Sequence, residues 1–89
     1  ELYNLKELYI HFNNIKLIHN EIVNLNILEK LNLSFNKIKS IPHEIYELYN
    51  LKELNLAFNI IKIIEKKIEN LVNLEILDLR NNEICLISF

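Results

Sequence analysis

Leucine and isoleucine return along this chain at a fixed step, with one copy every 23 residues from Leu5 to Leu28, Leu51 and Leu74. The same step carries Leu8 to Leu31, Leu54 and Leu77, and Ile10 to Leu33, Leu56 and Leu79. Isoleucines keep it at Ile15, Ile38, Ile61 and Ile84, then at Ile18, Ile41, Ile64 and Ile87. Within each copy the apolar positions read LxxLxLxxNxIxxI, and a second half adds Ile22, Ile45 and Ile68 followed by Leu25, Leu48 and Leu71. Self-similarity at such a period is the mark of a stacked-repeat architecture.

The spacing inside the unit assigns its parts. In LxL the alternation sends Leu8 and Ile10 to one side of a short strand and Tyr9 and His11 to the other. One strand has no means of burying its leucines alone, so the units are expected to stack as parallel strands about 4.8 Å apart, with the second half of each unit returning across the back. Residues 19–25, 42–48 and 65–71 carry apolar side chains three apart, which suits a single turn of 3₁₀ or α-helix. Pro42 is expected in the first turn of the second of these, where its missing N–H is of no consequence.

These motifs resemble the leucine-rich repeat family, and Ile41-Pro42-His43-Glu44-Ile45 with Leu48 looks like its IPxxIxxL variety. The resemblance implies an α/β fold: a right-handed solenoid, or horseshoe segment, with short parallel strands on the concave face and 3₁₀ or short helical turns on the convex face. It covers residues 1–89 as one domain of about four repeats, starting near Leu5, Leu28, Leu51 and Leu74. It also implies partner binding without naming the partner. No capping repeat is seen at either side, which predicts an uncapped stretch of a longer array, or end-to-end packing between copies.

Composition narrows the partners. At 89 residues, 51% of them hydrophobic, the chain has room for one small core. Ten basic and twelve acidic side chains provide no broad positive field for nucleic acid. The apolar run Ile60 to Ile64 is broken by Lys62, far short of the roughly 20 residues of a spanning helix, so membrane insertion is not expected. A lone cysteine, Cys85, excludes an internal disulfide and favours a reducing, cytoplasmic setting, while the sequon Asn32-Leu33-Ser34 fits an extracellular or cell-surface alternative.

Catalytic chemistry finds little support. His11, His19 and His43 occupy three different positions of the unit, no metal-ligand spacing is present, and the absence of glycine removes a phosphate-cradling loop. No catalytic residue, cofactor or metal is expected. The asparagine column, Asn13, Asn36, Asn59 and Asn82, is expected to be a buried structural ladder whose amides satisfy loop backbone. Outward columns are Glu7, Lys30, Glu53 and Ile76, then Tyr9, Asn32, Asn55 and Asp78, then His11, Ser34, Ala57 and Arg80. With Lys6, Glu29, Lys52 and Glu75 beside the first column, neighbouring strands alternate in charge, an arrangement that sets register and neutralises itself.

Phe12, Phe35 and Phe58 precede the ladder asparagines, and Asn81 takes the fourth place. Two readings are open: the rings stack and shield the ladder, or they stay partly open as an apolar anchor. Candidate partner-binding residues are therefore Tyr9, His11, Phe12, Asn32, Phe35, Asn55, Phe58, Asp78 and Arg80. The function that follows is a non-catalytic protein-interaction scaffold. A self-associating structural module and the recognition arm of a larger enzyme or signalling protein are the alternatives.

Overall fold

A leucine pair facing one way from a three-residue strand is buried only when the next unit lies against it, and a computed structural model shows how that is met. The structure describes residues 5–11, 13 and 25–88. Strands β1 (Glu7–Tyr9), β2 (Lys30–Asn32), β3 (Glu53–Asn55) and β5 (Ile76–Asp78) form one parallel sheet in the order β1-β2-β3-β5. Their register follows the sequence step without slippage, pairing Leu8 with Leu31, Leu31 with Leu54, and Leu54 with Leu77. A one-residue slip would turn every leucine to the wet face, so burial itself enforces this alignment.

Leu28, Leu31, Leu33, Leu51, Leu54 and Leu56 are 0–1% exposed, and Ile38, Ile45, Leu48 and Ile61 join them in one core. Each such side chain contributes about 1.5–3 kcal/mol on leaving water. The core thins toward Leu74, Leu77, Leu79 and Ile84, which are partly buried. On the opposite side the chain returns through 3₁₀ turns at His43–Glu47 and Lys66–Asn70. Pro42 stands just before the first of these, in extended conformation with φ −64° and ψ 146°, one position earlier than a first-turn proline. The helical turn expected over 19–25 falls almost wholly outside the described residues.

A second, two-stranded parallel sheet was not foreseen: β4 (Ile63–Glu65) pairs with β6 (Leu86–Ser88). Its pattern, Ile63 out, Ile64 in and Glu65 out, is three residues long and offers too little alternation to be recognised as a strand.

The asparagine column staples each unit to the one before. Asn59 Nδ2 donates to the carbonyls of Leu33 (3.0 Å) and Leu56 (3.1 Å), and its Oδ1 accepts the Ile38 N–H at 3.0 Å. Asn36 Nδ2 reaches Ile10 O and Leu33 O, and Asn82 repeats the pattern with Leu56 O, Leu79 O and the Ile61 N–H. Asn36 and Asn59 are buried and Asn82 is half-buried. Asn13 departs from the expected buried ladder: it is exposed, with Nδ2 on the carbonyl of His11.

Tyr46, in the turn His43–Glu47, is 2% exposed and its hydroxyl has no well-formed hydrogen bond. Burial, together with the charge of Glu65, pushes that hydroxyl up to about 12. A tyrosine whose folded pKa exceeds its ordinary value of 10.0 resists ionisation in the fold, so it leaves stability unchanged below pH 10 and erodes it as pH rises toward 12.

Two stability measurements follow. Asn59→Ala should cost about 1–3 kcal/mol in a denaturant melt, because donors and an acceptor of two units lose partners together, whereas Asn13→Ala should change little. Tyr46→Phe should be neutral or stabilising by up to about 1 kcal/mol at pH 7, and should flatten the loss of stability between pH 10 and 12.

Candidate functional site: the concave strand face and its aromatic rim

The outward side chains of the large sheet fall into rows because the strands are in register. The first row is Glu7, Lys30, Glu53 and Ile76. Lys30 Nζ lies 3.4 Å from Glu53 and 3.8 Å from Glu7, and Lys52 lies 3.9 Å from Glu29, so opposite charges sit on adjacent strands as the alternating columns predict. Glu53, then Glu7, hold the Lys30 ammonium protonated beyond its usual range. These pairs are well exposed and contribute little to stability individually. Ile76 breaks the alternation with an apolar side chain 54% exposed.

The second row is Tyr9, Asn32, Asn55 and Asp78. Tyr9, 54% exposed, donates its hydroxyl to Glu7 Oε1 at 2.9 Å, a bond that raises the pKa of the phenol. Asn32, Asn55 and Asp78 share one device, in which Oδ1 accepts the backbone N–H two residues on: Ser34 at 2.9 Å, Ala57 at 3.0 Å and Arg80 at 3.1 Å. Ser34 Oγ also donates to Asn32 Oδ1 at 2.7 Å. Arg80 closes on the Asp78 carboxylate through Nε (3.0 Å) and Nη2 (2.9 Å), and these hydrogen bonds hold Asp78 below the usual carboxylate range.

The third row differs from its sequence reading. His11 and Arg80 are exposed, as expected of an outward column, but Ser34 and Ala57 are 4% and 2% exposed. Their side chains are too short to rise past those around them, which cover them. A shallow depression of about 120 Å³ lies on the sheet, lined by Tyr9, Lys30, Asn32, Glu53, Asn55, Ile76 and Asp78 among others.

At the rim, Phe35 and Phe58 stack face to face, with centroids 4.3 Å apart and planes 8° from parallel. Each is still 40% exposed. The two readings of these rings are therefore compatible, since stacking covers one face and leaves the edges open. Phe12 lies outside the described residues. Backbone geometry explains a further property of the column that the sequence pattern does not announce: Phe35, Phe58 and Asn81 have φ of 56°, 59° and 57°. Left-handed backbone costs an ordinary residue about 1–2 kcal/mol and is tolerated best by glycine and asparagine. Asn81 is the low-strain occupant, and the phenylalanines hold the strained geometry at a position where this glycine-free chain supplies no relief.

Sequence reasoning missed a second asparagine contact on the ascending side, where Asn50 donates to Asn26 O (2.7 Å) and Asn73 to Tyr49 O (2.8 Å). With Asn4, these follow the 23-residue step, and Ile27 interrupts it. Cys85 is exposed, 3.7 Å from the carbonyl of Lys62. Among the described residues no three of His, Cys, Asp and Glu are grouped to hold a metal ion, and no helix is long and apolar enough to cross a membrane.

The chain belongs to the leucine-rich repeat family: the family model described as Leucine rich repeat matches residues 3–61 and 28–84. No curated protein sequence matches it. Among solved structures, a leucine-rich-repeat protein of Leptospira interrogans is 32% identical with a TM-score of 0.84, over 97% of this chain and 25% of that one. The plant peptide hormone receptor RGFR1, solved in complex with RGF2, is also 32% identical, with a TM-score of 0.76 over 89% of this chain and 13% of the receptor. The chain thus spans a quarter or less of the length of each. Leucine-rich-repeat domains generally mediate protein–protein interaction.

The left-handed column is open to a direct measurement. Asn81→Ala should lower stability by about 1 kcal/mol, and Asn81→Gly should stay within a few tenths of wild type.

Proposed function

We propose that the chain is a non-catalytic protein-interaction scaffold that holds its partner against the concave strand face and the adjacent aromatic rim. The observation that carries this reading is the sunken strand face, edged by the exposed Tyr9 and Ile76 and flanked by the half-exposed Phe35–Phe58 stack. Tyrosine and phenylalanine bring large contact area at low entropic cost, which is why aromatic anchors dominate interface energetics. His11, Asn32, Asn55, Asp78 and Arg80 supply the polar surround. The similarity to a plant peptide hormone receptor, RGFR1, solved in complex with RGF2, supports this reading.

A second reading, association between copies, is favoured by Leu86 and Ile87 of β6, which are 53% and 56% exposed. Light scattering over a wide concentration range tests it: growth in mass that Ile87→Lys abolishes would establish self-association, and a constant monomer mass would dismiss it.

For the main reading, binders are selected against the folded chain and then measured on variants. Tyr9→Ala and Phe58→Asn, the latter borrowing the residue found at position 81, should each weaken binding by about tenfold or more. Lys66→Ala and Glu69→Ala on the convex turn should leave affinity unchanged. The reverse pattern would move the binding surface to the convex side and end the proposal.

A further inference from the structure

The concave face carries hydrogen-bonding capacity that the fold does not use. In Asn32 and Asn55 the oxygen is identified by what it binds, since the N–H groups of Ser34 and Ala57 require an acceptor. That leaves Nδ2 as the uncommitted donor on two residues that both line the depression. Among the described residues neither Nδ2 has an acceptor, in contrast to Asn36, Asn50, Asn59, Asn73 and Asn82, whose Nδ2 groups all donate to main-chain carbonyls. Two half-buried carboxamides on paired strands thus present up to four N–H donors on one patch.

Their spacing selects an acceptor. Paired strands lie about 4.8 Å apart, so two N–H···O contacts of about 2.9 Å converging from Asn32 and Asn55 meet at one oxygen at about 110°. The two lone pairs of a single carbonyl oxygen diverge by a similar angle. Charge excludes the rivals. An anion would face Glu7, Glu53 and Asp78, while the nearest ammonium, Lys30, is already shared by Glu7 and Glu53. A cation would have to displace Lys30 or Arg80 from those carboxylates. A neutral carbonyl meets neither obstacle. The depression is shallow, about 120 Å³, and lies over β2 and β3 between Tyr9 and Ile76, room for an extended chain and too little for a helix of about 10–12 Å diameter.

We propose that Asn32 and Asn55 form a two-pronged clamp for one main-chain carbonyl oxygen of a neutral, extended segment of a protein partner. The clamp rests on the concave-face reading above and adds the chemistry of what is read there.

The probe is N-acetylalanine methylamide, a neutral molecule with two carbonyls, titrated into the full chain while the side-chain amide signals of asparagine are followed by NMR. The expected result is a joint, concentration-dependent shift of the Asn32 and Asn55 NH₂ signals, larger than that of exposed Asn81 and not reproduced by acetate or methylguanidinium. Asn32→Asp and Asn55→Asp replace the donors while keeping the oxygen that the backbone binds, as Asp78 already does in the same row. Each should abolish the shift at the remaining asparagine while leaving the melting curve in place. Shifts no larger than that of Asn81, or larger shifts with acetate, would overturn the clamp. Binders selected as above separate the two levels: sensitivity to Tyr9→Ala with no response to the double aspartate variant would sink the clamp and keep the concave face. A tenfold or greater loss in the double variant would support both.

Discussion

Everything in this molecule depends on the satisfaction of loop backbone by a side-chain amide. A 23-residue coil with three-residue strands leaves most of its N–H and C=O groups outside regular ladders, and burying them unpaired would cost more than the leucines return. The amide of Asn59, with donors for Leu33 and Leu56 and an acceptor for Ile38, answers that demand across two units at once. With the loops tied down, the leucines can be packed at near-zero exposure behind strands too short to stand alone.

The same constraint shapes the outer face. Because the ladder and the buried leucines lock register, residues at equal places in successive units stand side by side, and a property repeated in sequence becomes a surface stripe. The charged row, the amide row and the aromatic rim all arise in this way. Where the column changes identity the surface changes character: Ile76 interrupts the ion pairs, Asp78 with Arg80 replaces an amide with a salt bridge, and Asn81 ends the stack of rings. The face is therefore polarised along the axis of stacking, with amides in the middle and a carboxylate–guanidinium pair beside them.

Fold, period, register and ladder were legible because each rests on a side-chain type recurring at a fixed step. Legibility failed where the outcome depends on neighbours or on length. Ser34 and Ala57 belong by alternation to the outward set, yet their size leaves them beneath larger side chains. Tyr46 is buried although its equivalents in other units are Val23 and Glu69, so no column marks it. The β4–β6 pairing is too short to have a pattern. Phe35 and Phe58 were recognised as a stripe, but exposure of their edges and their left-handed backbone are matters of geometry that one-dimensional spacing does not encode. The candidate binding residues were found by position alone; the free Nδ2 groups of Asn32 and Asn55 emerged only once the bonds made by their oxygens were known.

The direction in which the asparagines reach has a bearing on how the chain is made. Asn59 completes a loop that begins in the unit before it, at Ile38, and Asn82 does the same for Ile61. Each coil closes part of its loop with its own asparagine and is finished by that of its successor. As the polypeptide leaves the ribosome from its amino end, the newest loop waits with open polar groups until roughly one further unit has emerged, so order advances along the nascent chain one repeat behind synthesis.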